Sequence, residues 1–144
     1  MQADDIARYF LAKADPEAGD AISNLKLQKL CYYAQGFHLA LYDRPLFEER
    51  IEAWQHGPVV PDLYHEYKSY GSASIPVPQD LDRASYPEDV RELLDEVYSV
   101  YGQYSAWKLR NMTHEERPWI DAHQAGGAII EHQAMSEYFK TLVQ

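Results

Sequence analysis

The chain has little cysteine, few basic residues and no long apolar run. Its one cysteine, Cys31, cannot form a disulfide within the chain. No charged-then-apolar leader opens the sequence, since Asp4 and Asp5 stand where a signal peptide would carry positive charge. The longest apolar runs are only a few residues, which excludes a membrane-spanning helix and a membrane partner. These shortages together predict a cytoplasmic protein.

Basic residues are outnumbered, with 13 lysines and arginines against 23 aspartates and glutamates and a net charge of −10. An acidic domain is repelled by a phosphate backbone, which argues against nucleic acid as a partner. The segment from Asp80 to Glu96 is especially rich in acids. It has two interpretations, a solvated helix face or a docking surface for a basic partner.

Apolar residues recur mainly at helical spacing. The strongest pattern runs from Leu27 to Leu41 and predicts a long helix capped by Ser23 or Asn24. Another pattern predicts a helix at residues 3–14. Shorter helices are expected at residues 61–70, from residue 87 onward, at 107–112, at 118–123 and at 130–142.

Extended structure is expected in only two places. Residues 51–54 alternate apolar and polar, which predicts a short strand, and residues 75–78 are the easiest place for a second one. Gly57 and Pro58 are expected to form a turn. The length fits one domain of residues 1–144. The sequence therefore predicts a mainly α fold, a compact single-domain bundle of six or seven helices with a small two-stranded β element.

Three residues inside the long helix predict core structure. Gly36 costs about 1 kcal/mol relative to alanine in a helix, and we expect a neighbouring backbone to pack closely there. Cys31 lies on the apolar stripe and is expected to be an inert core thiol. His38 lies on the same stripe and is expected to be a hydrogen-bonded core histidine.

Catalytic motifs are missing from the sequence, so no catalytic residue, cofactor or metal ligand is predicted. It contains no phosphate-binding glycine loop, no nucleophile elbow and no histidine pair at metal-binding spacing. Two alternatives stay open. One is a metal-dependent enzyme built around His56, His114 and His123, and the other is a DNA-binding regulator with Lys26 and Lys29 near the start of its second helix.

Aromatic residues make up 13% of the chain, and tyrosine accounts for twelve of them. Tyrosine favours protein interfaces because it brings a large contact area at a small loss of rotamer entropy. Tyr64, Tyr67 and Tyr70 are spaced to line one side of a short helix. We expect partner contacts from these tyrosines and from acids of the charged segment, namely Asp89, Glu92 and Glu96.

Three stretches resemble the Panacea domain of SocA-like antitoxins. They are LQKLCYYAQGFHLA at residues 27–40, PLF at 45–47 with IEAWQHGPVV at 51–60, and LRNMTHEERPW at 109–119. The resemblance covers nearly the whole chain. It assigns structural roles to the motif residues Gln28, Lys29, Tyr33, Gln35, Gly36, Trp54, Gly57, Pro58, Thr113, His114, Pro118 and Trp119. We expect two structural corners, residues 54–61 and 113–119, and a functional surface between them is the alternative.

The family resemblance also implies a function. Its members are typically encoded beside small toxins, often on prophages and other mobile elements, and neutralise them by direct protein contact. SocA-like members can also act as adaptors that deliver the bound toxin to an ATP-dependent protease. The resemblance therefore implies an antitoxin with a cognate toxin protein as its partner and no enzymatic activity. A homo-oligomer stays open.

Overall fold

The computed structural model describes residues 1–143, and in that range it contains seven α-helices and one two-stranded antiparallel sheet. The predicted mainly α fold with a small β element is therefore confirmed. The elements are α1 (Ala3–Lys13), α2 (Asn24–Tyr42), β1 (Glu52–Trp54), β2 (Gly57–Val59), α3 (Pro61–Tyr67), α4 (Glu88–Tyr101), α5 (Ala106–Thr113), α6 (Arg117–Gln124) and α7 (His132–Lys140). Three short 3₁₀ turns lie at Pro16–Ala18, Lys68–Tyr70 and Arg83–Ser85.

Helix α2 is the central element, and its ends follow from local chemistry. The Ser23 side chain accepts a hydrogen bond from the Lys26 backbone N–H, which confirms one of the two predicted caps. Asp43 ends the helix in the left-handed conformation, with φ of 56°. Most of α2 is buried around its whole circumference rather than along one stripe. Leu41, which the periodicity places on the inner stripe, is 51% exposed because it lies where the helix leaves the core.

Helices α1, α4, α5 and α7 pack on α2 from different sides, together with strand β2. A continuous core of buried apolar residues reaches from α1 to α7, with Phe10, Leu30, Leu94 and Phe139 among its members. Burial of this apolar surface is the main favourable contribution to the stability of the helical arrangement. Among residues 1–143, no helix is both long enough and apolar enough to cross a membrane.

The β-hairpin lies between α2 and α3. Strands β1 and β2 pair with Glu52 opposite Val59 and Trp54 opposite Gly57. The predicted strand at residues 51–54 is thus confirmed, but the prediction of a turn at Gly57 is wrong, because the chain has already turned before it. The second strand is also not at residues 75–78: in this region the Ile75 N–H donates to the Ile22 carbonyl, and the neighbouring Ser74 forms an isolated bridge with Ser23.

The space beside Gly36 is filled by the side chain of another helix, not by its backbone. A Cβ atom at this position would overlap the ring of Phe139 from α7. The close approach expected at Gly36 exists, but the predicted backbone neighbour is wrong. The Phe139 ring packs edge-on against Tyr32, at 5.5 Å between ring centroids, and against Phe37, at 4.9 Å.

Candidate functional site

Polar side chains of α2 hold the extended segment that follows the helix. The Gln35 side chain donates to the Phe47 carbonyl at 2.7 Å and accepts from the Leu46 N–H at 2.6 Å. Gln28 accepts from the Val60 N–H at 2.9 Å and donates to the Asn24 side chain at 2.8 Å. These backbone groups are buried, so each hydrogen bond removes a desolvation penalty of about 1–3 kcal/mol. The glutamines of the first motif stretch therefore act as fixed partners for the backbone of a neighbouring segment.

Lys29 is buried beneath the hairpin. Its ammonium donates to the Pro58 carbonyl at 3.1 Å, and none of its surface is exposed. Burial lowers the pKa of Lys29 to about 7, and the Arg110 charge acts in the same direction. Gly57 adopts a φ of +110°, and a Cβ there would crowd both the Lys29 side chain and Thr113 Oγ1. Glycine is required at this position for both reasons.

The second corner, residues 113–119, closes against the first. Thr113 Oγ1 donates to the Arg110 carbonyl at 2.7 Å, and the His114 ring stacks on the Trp119 ring at 3.9 Å between centroids. The Trp119 indole N–H donates to the Trp54 carbonyl at 2.8 Å. This bond links the two motif stretches directly, since Trp54 belongs to one and Trp119 to the other.

A buried carboxylate lies behind the second corner. Glu116 accepts hydrogen bonds from the hydroxyls of Tyr32 and Tyr33 at 2.9 and 2.8 Å. Burial raises the pKa of Glu116 to about 7, although the two hydroxyl donors act to lower it. Sequence reasoning missed this cluster, because Glu116 is more than eighty positions from its partners. Adjacent tyrosines on a buried helix need hydroxyl partners, and that need was the one available signal.

A pocket of about 470 Å³ opens beside the two corners, with Trp54, His56 and Tyr64 among its lining residues. Next to it lies an exposed cluster. The Arg110 guanidinium lies 4.3 Å from the Trp107 ring centroid and donates to His56 Nδ1 at 3.2 Å. Trp107 is 55% exposed. Tryptophan and arginine are enriched in the energetic centres of protein interfaces, yet sequence reasoning singled out neither residue.

The three tyrosines expected to bind a partner lie close together but have different surroundings. Tyr64 packs against the Trp54 ring at 5.0 Å between centroids and borders the pocket. The Tyr67 hydroxyl donates to Asp4 at 2.7 Å, so this residue fastens α3 to α1. Tyr70 stacks on Tyr67 at 6.5 Å and is 40% exposed. Tyr70 therefore offers the largest free surface of the three.

The three acids expected to bind a partner all belong to α4. Glu92 and Glu96 are exposed, and Asp89 is half-buried. None of the three forms an ion pair within residues 1–143. In contrast, Asp95 accepts from Lys13 at 2.9 Å and from the Tyr9 hydroxyl at 2.7 Å. Helix α4 thus holds α1 with one acid and presents others to solvent.

The histidines and lysines named for the two alternative functions make contacts inside the protein. His114 and His123 both stack on the Trp119 ring, at 3.9 and 4.4 Å between ring centroids. In the described part of the chain, no three histidine, cysteine or acidic side chains are close enough to hold a metal ion. Lys26 is 7% exposed and donates to the Gly102 carbonyl at 2.6 Å, and Lys29 is fully buried. Neither lysine can reach a DNA phosphate in this conformation.

His38 and Cys31 are the other two residues of α2 that were predicted to lie in the core. His38 Nδ1 lies 2.7 Å from the Arg44 carbonyl, which confirms a hydrogen-bonded core histidine. Cys31 is fully buried, and burial raises the pKa of its thiol. A thiol with a raised pKa is a poor nucleophile, in agreement with the expected inert role.

Comparison with known proteins identifies the family. The family described as "Antitoxin SocA-like, Panacea domain" matches residues 27–120, a range that contains both corners. The chain is also 33% identical over 109 residues to "Antitoxin SocA" of Caulobacter vibrioides (strain NA1000 / CB15N). That alignment covers 68% of this chain and 58% of the relative, so the chain spans less than two thirds of the relative's length. The chain therefore belongs to the SocA-like, Panacea-domain family of antitoxins. No solved structure matches it.

Proposed function

We propose that this chain is an antitoxin that neutralises a cognate toxin by direct protein contact, acting as one domain and without catalysis of its own. The observation that carries the proposal is the family match, because residues 27–120 contain every motif residue that builds the two corners. The surface is compatible with this role. It exposes Trp107 beside Arg110 and leaves Asp89, Glu92 and Glu96 without an ion pair within residues 1–143.

Two groups of residues are proposed to contact the toxin. One is the tyrosine group Tyr64, Tyr67 and Tyr70, in which Tyr70 has the most exposed ring. The other is the acidic group Asp89, Glu92 and Glu96 on α4. With a net charge of −10, the chain attracts a basic partner at long range, and such attraction raises the association rate.

Neutralisation can proceed by occupation of the toxin or by its delivery to an ATP-dependent protease, and family resemblance supports both routes. The half-life of the toxin in cells separates them. Delivery shortens the half-life when the antitoxin is present, and only while the protease is active. Occupation leaves the half-life unchanged or lengthens it.

The test is co-expression with the product of the adjacent reading frame. We expect the chain to restore growth and to co-purify with that product. Restored growth without a detectable complex at micromolar concentration would contradict direct neutralisation, whereas a complex without restored growth would contradict the antitoxin role.

Charge reversal tests the acidic group. Changing Asp89, Glu92 and Glu96 to lysine should weaken toxin binding most at low salt, because salt screens exposed charges. The matched control reverses three exposed acids that lie elsewhere and form no ion pair within residues 1–143, namely Glu17, Glu48 and Glu131. Equal losses in both variants would show a dependence on net charge alone and would remove the α4 acids from the interface.

A further inference from the structure

An apolar groove of about 480 Å³ lies between α2, α4 and the segment after α7. Apolar side chains form most of its lining, with Phe37 and Leu41 from α2, Leu93, Val97, Val100 and Tyr101 from α4, and Leu142 and Val143 from the following segment. Leu41, Val100 and Leu142 are 51%, 40% and 45% exposed. Single exposed apolar residues are normal, but three that converge on one groove are typical of a binding surface.

One edge of the groove is acidic. Glu92, Glu96 and Val100 follow one another at four-residue intervals, so they form a row along α4 that ends in the groove. Glu96 itself lines the groove. Asp89 is half-buried near the start of α4 and is not part of the groove lining. No ion pair within residues 1–143 neutralises these three carboxylates.

We infer that this groove binds an amphipathic helix of the toxin whose apolar face is flanked by lysine or arginine, a conclusion that rests on the proposed function. The lining of α4 runs from Leu93 to Tyr101, about 12 Å along the helix axis. Anchors at positions i, i+3 or i+4 and i+7 of a docked helix span about 10 Å and so fit within this length. The unpaired carboxylates at the edge provide partners for basic residues beside those anchors.

A second copy of this chain fits the groove less well than a basic partner does. In a two-fold symmetric dimer through this face, Glu92 and Glu96 of both copies would lie near each other. Like charges across an interface oppose association, and each copy already carries a net charge of −10. The charge at the groove therefore favours a basic partner over self-association.

The first experiment measures toxin affinity of groove variants by calorimetry. Val100→Glu puts a charge into the apolar lining and should weaken binding about tenfold or more. Ser99→Glu is the matched control, because Ser99 is also exposed on α4 but lines a different hollow beside Lys26. If Val100→Glu and Ser99→Glu bind the toxin as well as the unchanged chain, the groove assignment is overturned while the antitoxin function stands.

The second experiment does not need the toxin. The probe is a synthetic helical peptide with leucine at i, i+4 and i+7 and lysine at the flanking positions, and amide shifts in NMR spectra of the full chain map where it binds. We expect shifts of the amides around Leu41 and Val100. The Glu96→Lys variant should bind the peptide more weakly, and its exposed position leaves the core unchanged. A peptide with glutamate in place of lysine should bind at least about tenfold more weakly.

The outcomes separate the two proposals. Peptide shifts outside the groove, no shifts, or equal affinity for the acidic peptide would overturn the groove assignment whatever the toxin does. Failure of the chain to restore growth, with specific peptide binding at the groove, would overturn the antitoxin role and leave the groove as a docking site for a basic helix. Circular dichroism of each variant confirms that it is folded.

Discussion

The contact between Gly36 and Phe139 provides a sharp test of the core. Glycine to alanine in the middle of a helix normally stabilises by about 1 kcal/mol, so helix propensity alone predicts that Gly36→Ala is more stable. The structure predicts the opposite, because the new Cβ would overlap the fully buried Phe139 ring. Tyr32, Tyr33 and Phe37 surround this ring at 5.5, 6.0 and 4.9 Å between centroids, so it has little room to move.

Overpacking a well-filled core costs about 1–3 kcal/mol, and the confined Phe139 ring favours the upper end. Subtracting the propensity gain leaves an expected net loss of about 2 kcal/mol for Gly36→Ala. In a Phe139→Ala background every atom that would overlap the new Cβ is gone, so the same substitution should stabilise by about 1 kcal/mol. The sign of the effect therefore reverses between the two backgrounds, which corresponds to a coupling free energy of about 3 kcal/mol.

Urea unfolding followed by far-ultraviolet circular dichroism measures the four free energies of this cycle, with equal m-values as the check on two-state behaviour. The exposed position Glu92 calibrates helix propensity in this protein, through the difference between Glu92→Ala and Glu92→Gly. A stabilising effect of Gly36→Ala in the unchanged background would refute the packing argument, as would a coupling free energy near zero.

Three other substitutions test polar groups of the core by urea unfolding. The pKa of Glu116 is raised to about 7, so this residue contributes stability below about pH 4.5 that is lost as the pH rises through 7. The loss is on the order of 3 kcal/mol, and Glu116→Gln should remove it. Lys29 has its pKa lowered to about 7, so stability should rise between about pH 7 and 10.5, and Lys29→Met should abolish that rise. Trp119→Phe removes the donor to the Trp54 carbonyl and should destabilise by about 1–3 kcal/mol. A pH profile unchanged by either of the first two variants, or unchanged stability of the third, would contradict the corresponding assignment.

Elements whose signals are local could be predicted from the sequence. The cap at Ser23 and the first-turn proline Pro118 mark helix starts through their own backbone chemistry. The apolar stripe of α4, including Val90 and Val97, is buried as expected, because this helix has one face on the core and one in solvent.

Helix α2 shows where periodicity stops being informative. It is surrounded by other elements, so side chains such as Gln28, Lys29 and Gln35 are buried although their polarity favours solvent. Their partners are backbone groups of residues 46–60, which are close in space but distant in the chain. A single sequence carries no signal for such pairs.

The predicted location of the second strand was wrong for a related reason. Gly57 and Pro58 are turn residues by propensity, but tertiary contacts place them in a strand. Lys29 donates to the Pro58 carbonyl, and Gln28 accepts from the Val60 N–H. Interactions with α2 therefore override the local preference of this segment.

The residues that identify the family differ from the residues that are free to contact a partner. The polar atoms of Gln28, Gln35 and Trp119 form hydrogen bonds inside the protein, so substitutions there act first on stability. Exposed residues outside these bonds, such as Val100 in the groove and Trp107 beside the corners, are free to act on binding with the fold intact. These motif residues therefore hold the scaffold together, and under the proposed function the choice of toxin depends on surface positions outside their hydrogen bonds.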